Sequence, residues 1–222
     1  MAKRVNLFMG HYGSGKTNIA VNYALHLKGQ GKAVKIADLD IVNPYFRTKD
    51  SAQLLEKAGI PLISPTFANT NVDLPALPAE TYSLFQNNAF YAVMDIGGDD
   101  RGAYALGRYR DYILEENDYE AFFVANFYRP LTTTAAEALE VMAEIEAACK
   151  IKFTAIINNS NLGEATTPED IEKTDIKARE LCSLSGLPLK FTSAVESIAE
   201  QVKLDNVFPL KLQDKYFQIK EN

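Results

Sequence analysis

One stretch limits what this chain can fold into more than any other. Residues 10–17 read Gly-His-Tyr-Gly-Ser-Gly-Lys-Thr and follow at once on the apolar run Val5–Met9. Three glycines in eight positions free the backbone to curl, and successive N–H groups in such a curl converge on an anion. Gly10, four intervening residues and then Gly15-Lys16-Thr17 match the phosphate-loop spacing. The loop needs a buried strand before it and a helix after it, because the helix N-terminus adds its positive dipole end. Lys16 is then placed to neutralise the β- and γ-phosphates of a nucleoside triphosphate, and the Thr17 hydroxyl to hold Mg²⁺. Nucleotide contacts are expected to run through Tyr12, Gly13, Ser14, Gly15, Lys16, Thr17 and Asn18.

The rest of the chain repeats strand and helix in turn. Apolar runs predict strands at Val5–Met9 and at residues 33–38, 62–64, 90–95, 119–126, 153–158 and 189–192. Helical spacing predicts helices over residues 16–28, 50–58, 79–86, 132–149 and 168–185, the last opened by Pro168. The strands are apolar throughout rather than alternating, which fits strands covered on both faces. The expected fold is a three-layer α/β/α domain with a mostly parallel sheet, of P-loop NTPase type. With no linker, repeat or low-complexity stretch, residues 1–222 read as one domain.

A bound triphosphate needs a metal and an aligned water, so acids should lie beside the loop. Parallel strands bring their C-terminal ends to one edge of the sheet, and two predicted strands end in acids. One reads Asp38-Leu39-Asp40, the other Asp95-Ile96-Gly97-Gly98-Asp99. Asp95 in a D-x-x-G pattern suits an acid that orients Mg²⁺ through water, with Gly98 offering its N–H to the γ-phosphate. Asp40 and Asp95 read as functional, while Asp38 and Asp99 read as capping or solvated charges.

Together, "GHYGSGKT", "DLDIVNPYFRT", "DIGGD" and "INNSN" resemble the MinD/ParA-type P-loop ATPases, a group that includes the nitrogenase iron protein and the arsenical-pump and tail-anchor ATPases. The likeness runs from about Lys3 to at least Asn161. It implies an ATP- and Mg²⁺-dependent switch in which Lys16 and Asp40 are catalytic, Asp40 positions or activates the attacking water, and Thr17, Asp40 and Asp95 serve the metal. Residues 40–47 and 95–101 would be the two switches. An asparagine at a later strand end would recognise adenine, and Asn159 fits that place better than Asn158; both equally fit an ordinary strand-end turn.

The chain departs from that family at His11, where many members carry a lysine that crosses a dimer to the partner's nucleotide. A shorter, mostly neutral imidazole cannot take that role unchanged. Either no ATP-sandwich dimer forms or another cation serves. Arg47, Arg101 and Arg129 are the candidates, with Arg129 read as a solvated loop charge. The two cysteines, Cys149 and Cys182, are read as core residues, so no bridging iron–sulfur cluster is expected.

Net charge of -6 and a pI near 5.1 count against generic nucleic-acid binding. No run approaches the roughly 20 apolar residues of a membrane span, and the mixed stretch 210–220 reads as a tail packed on the domain. The expectation is a cytoplasmic, slow Mg²⁺-ATPase that switches a protein partner of unknown identity, with nucleotide-dependent homodimerisation open. The alternative is a small-molecule kinase or ATP-dependent ligase, in which Asp40, Arg47, Arg101 and the loop 65–78 would face a second substrate.

Overall fold

Every residue of β1 (Val5–Met9) is buried, as a strand covered on both faces must be. The computed structural model describes residues 2–40, 48–64, 79–86, 88–98 and 100–212. In it β1 is joined by β2 (Val34–Leu39), β3 (Leu62–Ile63), β4 (Tyr91–Ile96), β5 (Tyr119–Ala125), β6 (Ala155–Asn158), β7 (Leu189–Val195) and β8 (Val207–Leu210). These form one eight-stranded sheet in the order β3-β2-β4-β1-β5-β6-β7-β8, and every pairing is parallel. β1 therefore lies between β4 and β5, where the winding of the chain reverses, and a crevice opens there at the C-terminal strand ends.

The helices are α1 (Lys16–Gly29), α2 (Ala52–Lys57), α3 (Ser83–Gln86), α4 (Asp100–Gly107), α5 (Arg110–Glu116), α6 (Ala135–Cys149), α7 (Pro168–Ser185) and α8 (Glu196–Ala199). Alternate strand residues serve opposite layers. Leu7, Met9, Leu39, Met94 and Phe123 pack with Leu106 of α4, Ile113 of α5, Val141 of α6 and Leu181 of α7. Phe8, Ile36, Val93, Phe122 and Ile157 pack with Ile19, Tyr23 and Leu27 of α1 and with Leu55 of α2. The three-layer α/β/α fold is thus the observed one, with a sheet that is parallel throughout.

Several boundaries move for identifiable reasons. α6 begins at Ala135 rather than residue 132, because the Thr134 hydroxyl accepts the Glu137 N–H at 3.2 Å while the Glu137 carboxylate accepts the Thr134 N–H at 3.1 Å, closing a capping box. α7 starts at Pro168 as expected, under the matching pair Thr167 and Asp170. The helices expected at 50–58 and 79–86 each divide into a 3₁₀ turn and a shorter α-helix. α4 and α5 were not expected; in α4, Gly102 and Gly107 weaken the helical pattern. β8 was missed because Pro209 interrupts it; a proline is tolerated on an edge strand. Cys149 is buried at the end of α6, whereas Cys182 is only partly buried against the same layer. Burial pushes both thiols above the usual range. Among the described residues no helix is long and apolar enough to cross a membrane. Of the C-terminal stretch, Lys211 is pinned to Asn22 of α1 by two hydrogen bonds of 2.9 Å; residues 213–222 lie outside the described residues.

Candidate functional site

The glycine loop sits at the crevice beyond β1. Gly15 caps α1 at φ 82°, a left-handed conformation that favours glycine. A side chain there would also place its Cβ 2.3 Å from the Asn159 amide nitrogen. That amide donates to the Ser14 carbonyl at 2.7 Å, while its oxygen accepts from the Ser193 hydroxyl of β7 at 2.5 Å. Asn159 thus ties the loop to β6 and β7. The loop closes on itself where Ser14 N–H donates to the His11 carbonyl at 3.1 Å, and Lys16 Nζ donates to the same carbonyl at 3.2 Å. The His11 ring turns back on its own chain, with Nδ1 3.1 Å from the Tyr12 carbonyl oxygen.

The acids arrive from the neighbouring strands. Phe8 of β1 pairs in register with Asp95 of β4, and Asp38 of β2 pairs with Asp95 from the other side. Beyond Asp95, Gly98 lies against the loop: a Cβ on it would fall 2.6 Å from Lys16 Nζ and 2.8 Å from the Tyr12 backbone nitrogen. Asp95 is 1% exposed, and burial pushes its carboxyl up to about 6. The neighbouring Thr17 hydroxyl, the hydrogen bond from Thr48 and the Lys16 charge oppose that rise, while the Asp40 charge adds to it. Thr48 Oγ1 donates to Asp95 Oδ2 at 2.9 Å, but Asp95 Oδ1 is buried with no hydrogen-bond partner among the described residues.

An orphaned carboxylate oxygen beside the Thr17 hydroxyl fits an oxygen-seeking cation. Among the described residues no group of three or more His, Cys, Asp or Glu could hold a metal. Mg²⁺ in a phosphate loop takes one or two protein oxygens, with phosphates and waters completing the octahedron. The Thr17 hydroxyl and the Asp95 carboxylate therefore suit nucleotide-borne Mg²⁺.

A cavity of about 390 Å³ is lined by Tyr12, Gly13, Gly15, Lys16, Thr17, Asn18, Asp40, Arg129, Asn159, Asn161, Gly163, Glu164 and Leu212. Most of the expected nucleotide contacts are thus brought together. Ser14 is buried, and its hydroxyl has no hydrogen-bond partner among the described residues. A larger groove of about 820 Å³ runs along α1 beside β7 and β8 and is lined by none of the loop residues.

Three expectations need correction. Asn158 does not line the cavity: its amide donates to Thr174 of α7 at 3.1 Å and its oxygen accepts from Ser160 Oγ at 2.7 Å, so its polar groups are consumed within the fold. Asp38 is neither a cap nor a solvated charge; it is 1% exposed, and its Oδ1 accepts the Asp40 N–H at 3.0 Å, which holds Asp40 at the cavity. Asn159, expected at the adenine, instead spends its amide on the Ser14 carbonyl and the Ser193 hydroxyl. Arg129 is exposed, as expected of a loop charge, and its Nε donates to the Gly13 carbonyl at 3.2 Å. Thr48 and Asn161 were missed. Nothing near Thr48 in the sequence marks it, whereas Asn161 stood in plain view in the run 156–161. Arg47, Asp99, most of the first switch and the loop 65–78 lie outside the described residues, as does the side chain of Arg101.

No protein-family model matches the chain, and no curated protein matches its sequence. Solved structures match its fold. Cell division protein FtsY from Thermotoga maritima aligns at 20% identity and a TM-score of 0.57 over 86% of this chain and 62% of its own. The signal recognition particle receptor FtsY from Elizabethkingia anophelis, in complex with GDP, aligns at 15% and 0.55 over 87% and 58%. Signal recognition particle 54 kDa protein from Aeropyrum pernix, also in complex with GDP, aligns at 15% and 0.54 over 86% and 41%. The chain spans 41 to 62% of the length of these three proteins. At such identities the likeness shows a shared α/β fold and nothing finer.

Proposed function

We propose that the chain is a Mg²⁺-dependent P-loop ATPase of MinD/ParA type, a slow hydrolase whose nucleotide state switches a protein partner. The observation that carries this reading is the seating of the β4 exit on the loop, with Gly98 against Lys16 Nζ and the Tyr12 nitrogen. A γ-phosphate held there would touch the second switch directly, so its loss would be felt by the segment leading into α4.

The residues divide the work. Loop amides from Gly13 to Thr17 cradle the phosphates, and Lys16 leaves the His11 carbonyl to neutralise them. Thr17 and Asp95 would hold Mg²⁺, which when bound polarises the phosphoryl oxygens. Asp40, held through its own N–H by Asp38, orients the attacking water. At the base end, the amide of Asn18 on the cavity wall carries both a donor and an acceptor, which suits the adenine edge.

One observation favours GTP as a second reading. Glu164 on the same wall is a carboxylate that would accept the two N–H donors of guanine, and GDP is the ligand named for two of the matched structures. Competition between ATP and GTP for one binding isotherm separates the two.

Purified protein with Mg²⁺-ATP and no added metabolite should release phosphate slowly, and Lys16→Ala and Asp40→Ala should each abolish that release. Turnover that begins only when a metabolite is supplied would point to a kinase or ligase instead. Gel filtration with ADP and with a non-hydrolysable ATP analogue tests nucleotide-dependent dimerisation.

A further inference from the structure

We propose that Arg129 is a catalytic cation acting in cis at the γ-phosphate end of the loop, so that a single chain carries the whole hydrolytic set. The inference rests on the nucleotide site proposed above. It starts from the sheet order: β4 and β5 are the two neighbours of β1. The exit of β4 brings Gly98 to the lip of the loop at Tyr12. The exit of β5 brings Arg129 to the next residue, Gly13, from the other side.

The guanidinium lies along the loop at that point. A Cβ on Gly13 would sit 3.5 Å from Arg129 Nε and 3.9 Å from Cζ, and the side chain lines the cavity with Lys16, Thr17 and Asp40. Among the described residues no carboxylate forms an ion pair with it. The His11 ring is turned onto the Tyr12 carbonyl and away from this role.

The arm carrying Arg129 is built, not loose. Asn126 Oδ1 accepts the Tyr128 N–H at 3.1 Å, and Ser160 Oγ accepts the Phe127 N–H at 2.9 Å. Thr132 Oγ1 donates to the Asn126 carbonyl at 2.8 Å, and Arg129 N–H donates to that same carbonyl at 3.1 Å. Asn126 and Thr132 are each 1% exposed. These bonds fix the backbone of the turn beside Gly13, so that only the side chain of Arg129 need rotate to reach the phosphates.

In the reaction, water oxygen bonds to the γ-phosphorus while the bond from that phosphorus to the β–γ bridging oxygen breaks. The bonding pair stays on the bridging oxygen, now part of the diphosphate, and the water proton ends on the released phosphate. Negative charge accumulates on the bridge. Rotation of its side chain carries Arg129 from the Gly13 carbonyl to that oxygen, where its fork of N–H donors neutralises the charge.

The test compares wild type, Arg129→Ala and Arg129→Lys by single-turnover hydrolysis and by calorimetry with Mg²⁺-ADP, alone and with aluminium fluoride. Arg129→Ala should slow hydrolysis on the order of 100-fold and weaken binding of the aluminium fluoride complex by a similar factor, while ADP affinity stays near wild type. Arg129→Lys should recover only part of both, since an ammonium lacks the fork. Mixing Arg129→Ala with Asp40→Ala should restore nothing. Wild-type hydrolysis by Arg129→Ala overturns the inference, as does an equal loss of ADP and transition-state-mimic affinity, which would make Arg129 a brace for the loop. Recovered activity in the mixture also overturns it, by showing a cation supplied in trans. A wild-type protein that binds Mg²⁺-ATP but never hydrolyses it refutes the hydrolase reading. In that protein, equal affinity of wild type and Arg129→Ala for the aluminium fluoride complex overturns the Arg129 inference separately.

Discussion

Asp95→Asn should change how stability depends on pH, and the size of the change follows from burial. The Asp95 carboxyl moves from an ordinary 3.8 to about 6 in the folded chain, chiefly because it is desolvated. A raised carboxyl binds its proton more tightly when folded, so the folded state is favoured below the unfolded value and loses that advantage as pH rises through the folded value. At about 1.4 kcal/mol per pH unit of separation, Asp95 costs the nucleotide-free protein about 3 kcal/mol above pH 7. Roughly a third of that cost is already present at pH 4.5. Asparagine carries no charge and keeps an oxygen for Thr48, although its amide replaces the orphaned Oδ1 and imposes a cost of its own. That cost does not vary with pH, so the comparison across pH isolates the carboxylate. Between pH 4.5 and 7.5 the variant should gain about 2 kcal/mol relative to wild type. For a chain of this size that is roughly 4–8 °C in relative Tm. Chemical denaturation at four or five pH values, without nucleotide or Mg²⁺, measures it directly. Parallel curves for the two proteins would show that Asp95 is not a desolvated acid and would remove the argument for a cation beside it. With saturating Mg²⁺-nucleotide the wild-type curve should flatten, while the variant should show no such response.

Other perturbations separate bracing from recognition. Gly98→Ala should lower nucleotide affinity by about tenfold or more and cost about 1–3 kcal/mol, because Lys16 Nζ can move aside but the Tyr12 backbone nitrogen, 2.8 Å from the new Cβ, cannot; calorimetry and thermal unfolding read the two effects. Asn159→Ala removes the donor to the Ser14 carbonyl and leaves the Ser193 hydroxyl only the Asn158 carbonyl at 3.4 Å, and should destabilise the protein by about 2 kcal/mol without changing the preference between ATP and GTP. A changed preference at full stability would return Asn159 to base recognition. Thr167→Ala removes the cap of α7 and should cost about 1 kcal/mol in denaturant titration, with nucleotide affinity untouched.

Much of this was legible in the amino-acid order, because it depends on neighbours along the chain. The loop from Gly10 to Thr17 carries its own backbone chemistry, and the apolar runs around Val5–Met9 and residues 90–95 announce buried parallel strands. Asp95 and Gly98 were readable for the same reason, as an acid and a turn at the end of such a strand. The roles of Arg129, Asp38, Thr48 and the asparagine pair were not. Each depends on which strands lie side by side: Arg129 meets Gly13 because β5 flanks β1, Asp38 is buried because β2 adds to β4, and Asn159 serves the loop because β6 lies next to β5. Hydrophobic periodicity sets the class of each element, while register and strand order, decided by packing across the whole sheet, choose the polar side chains that meet at the crevice.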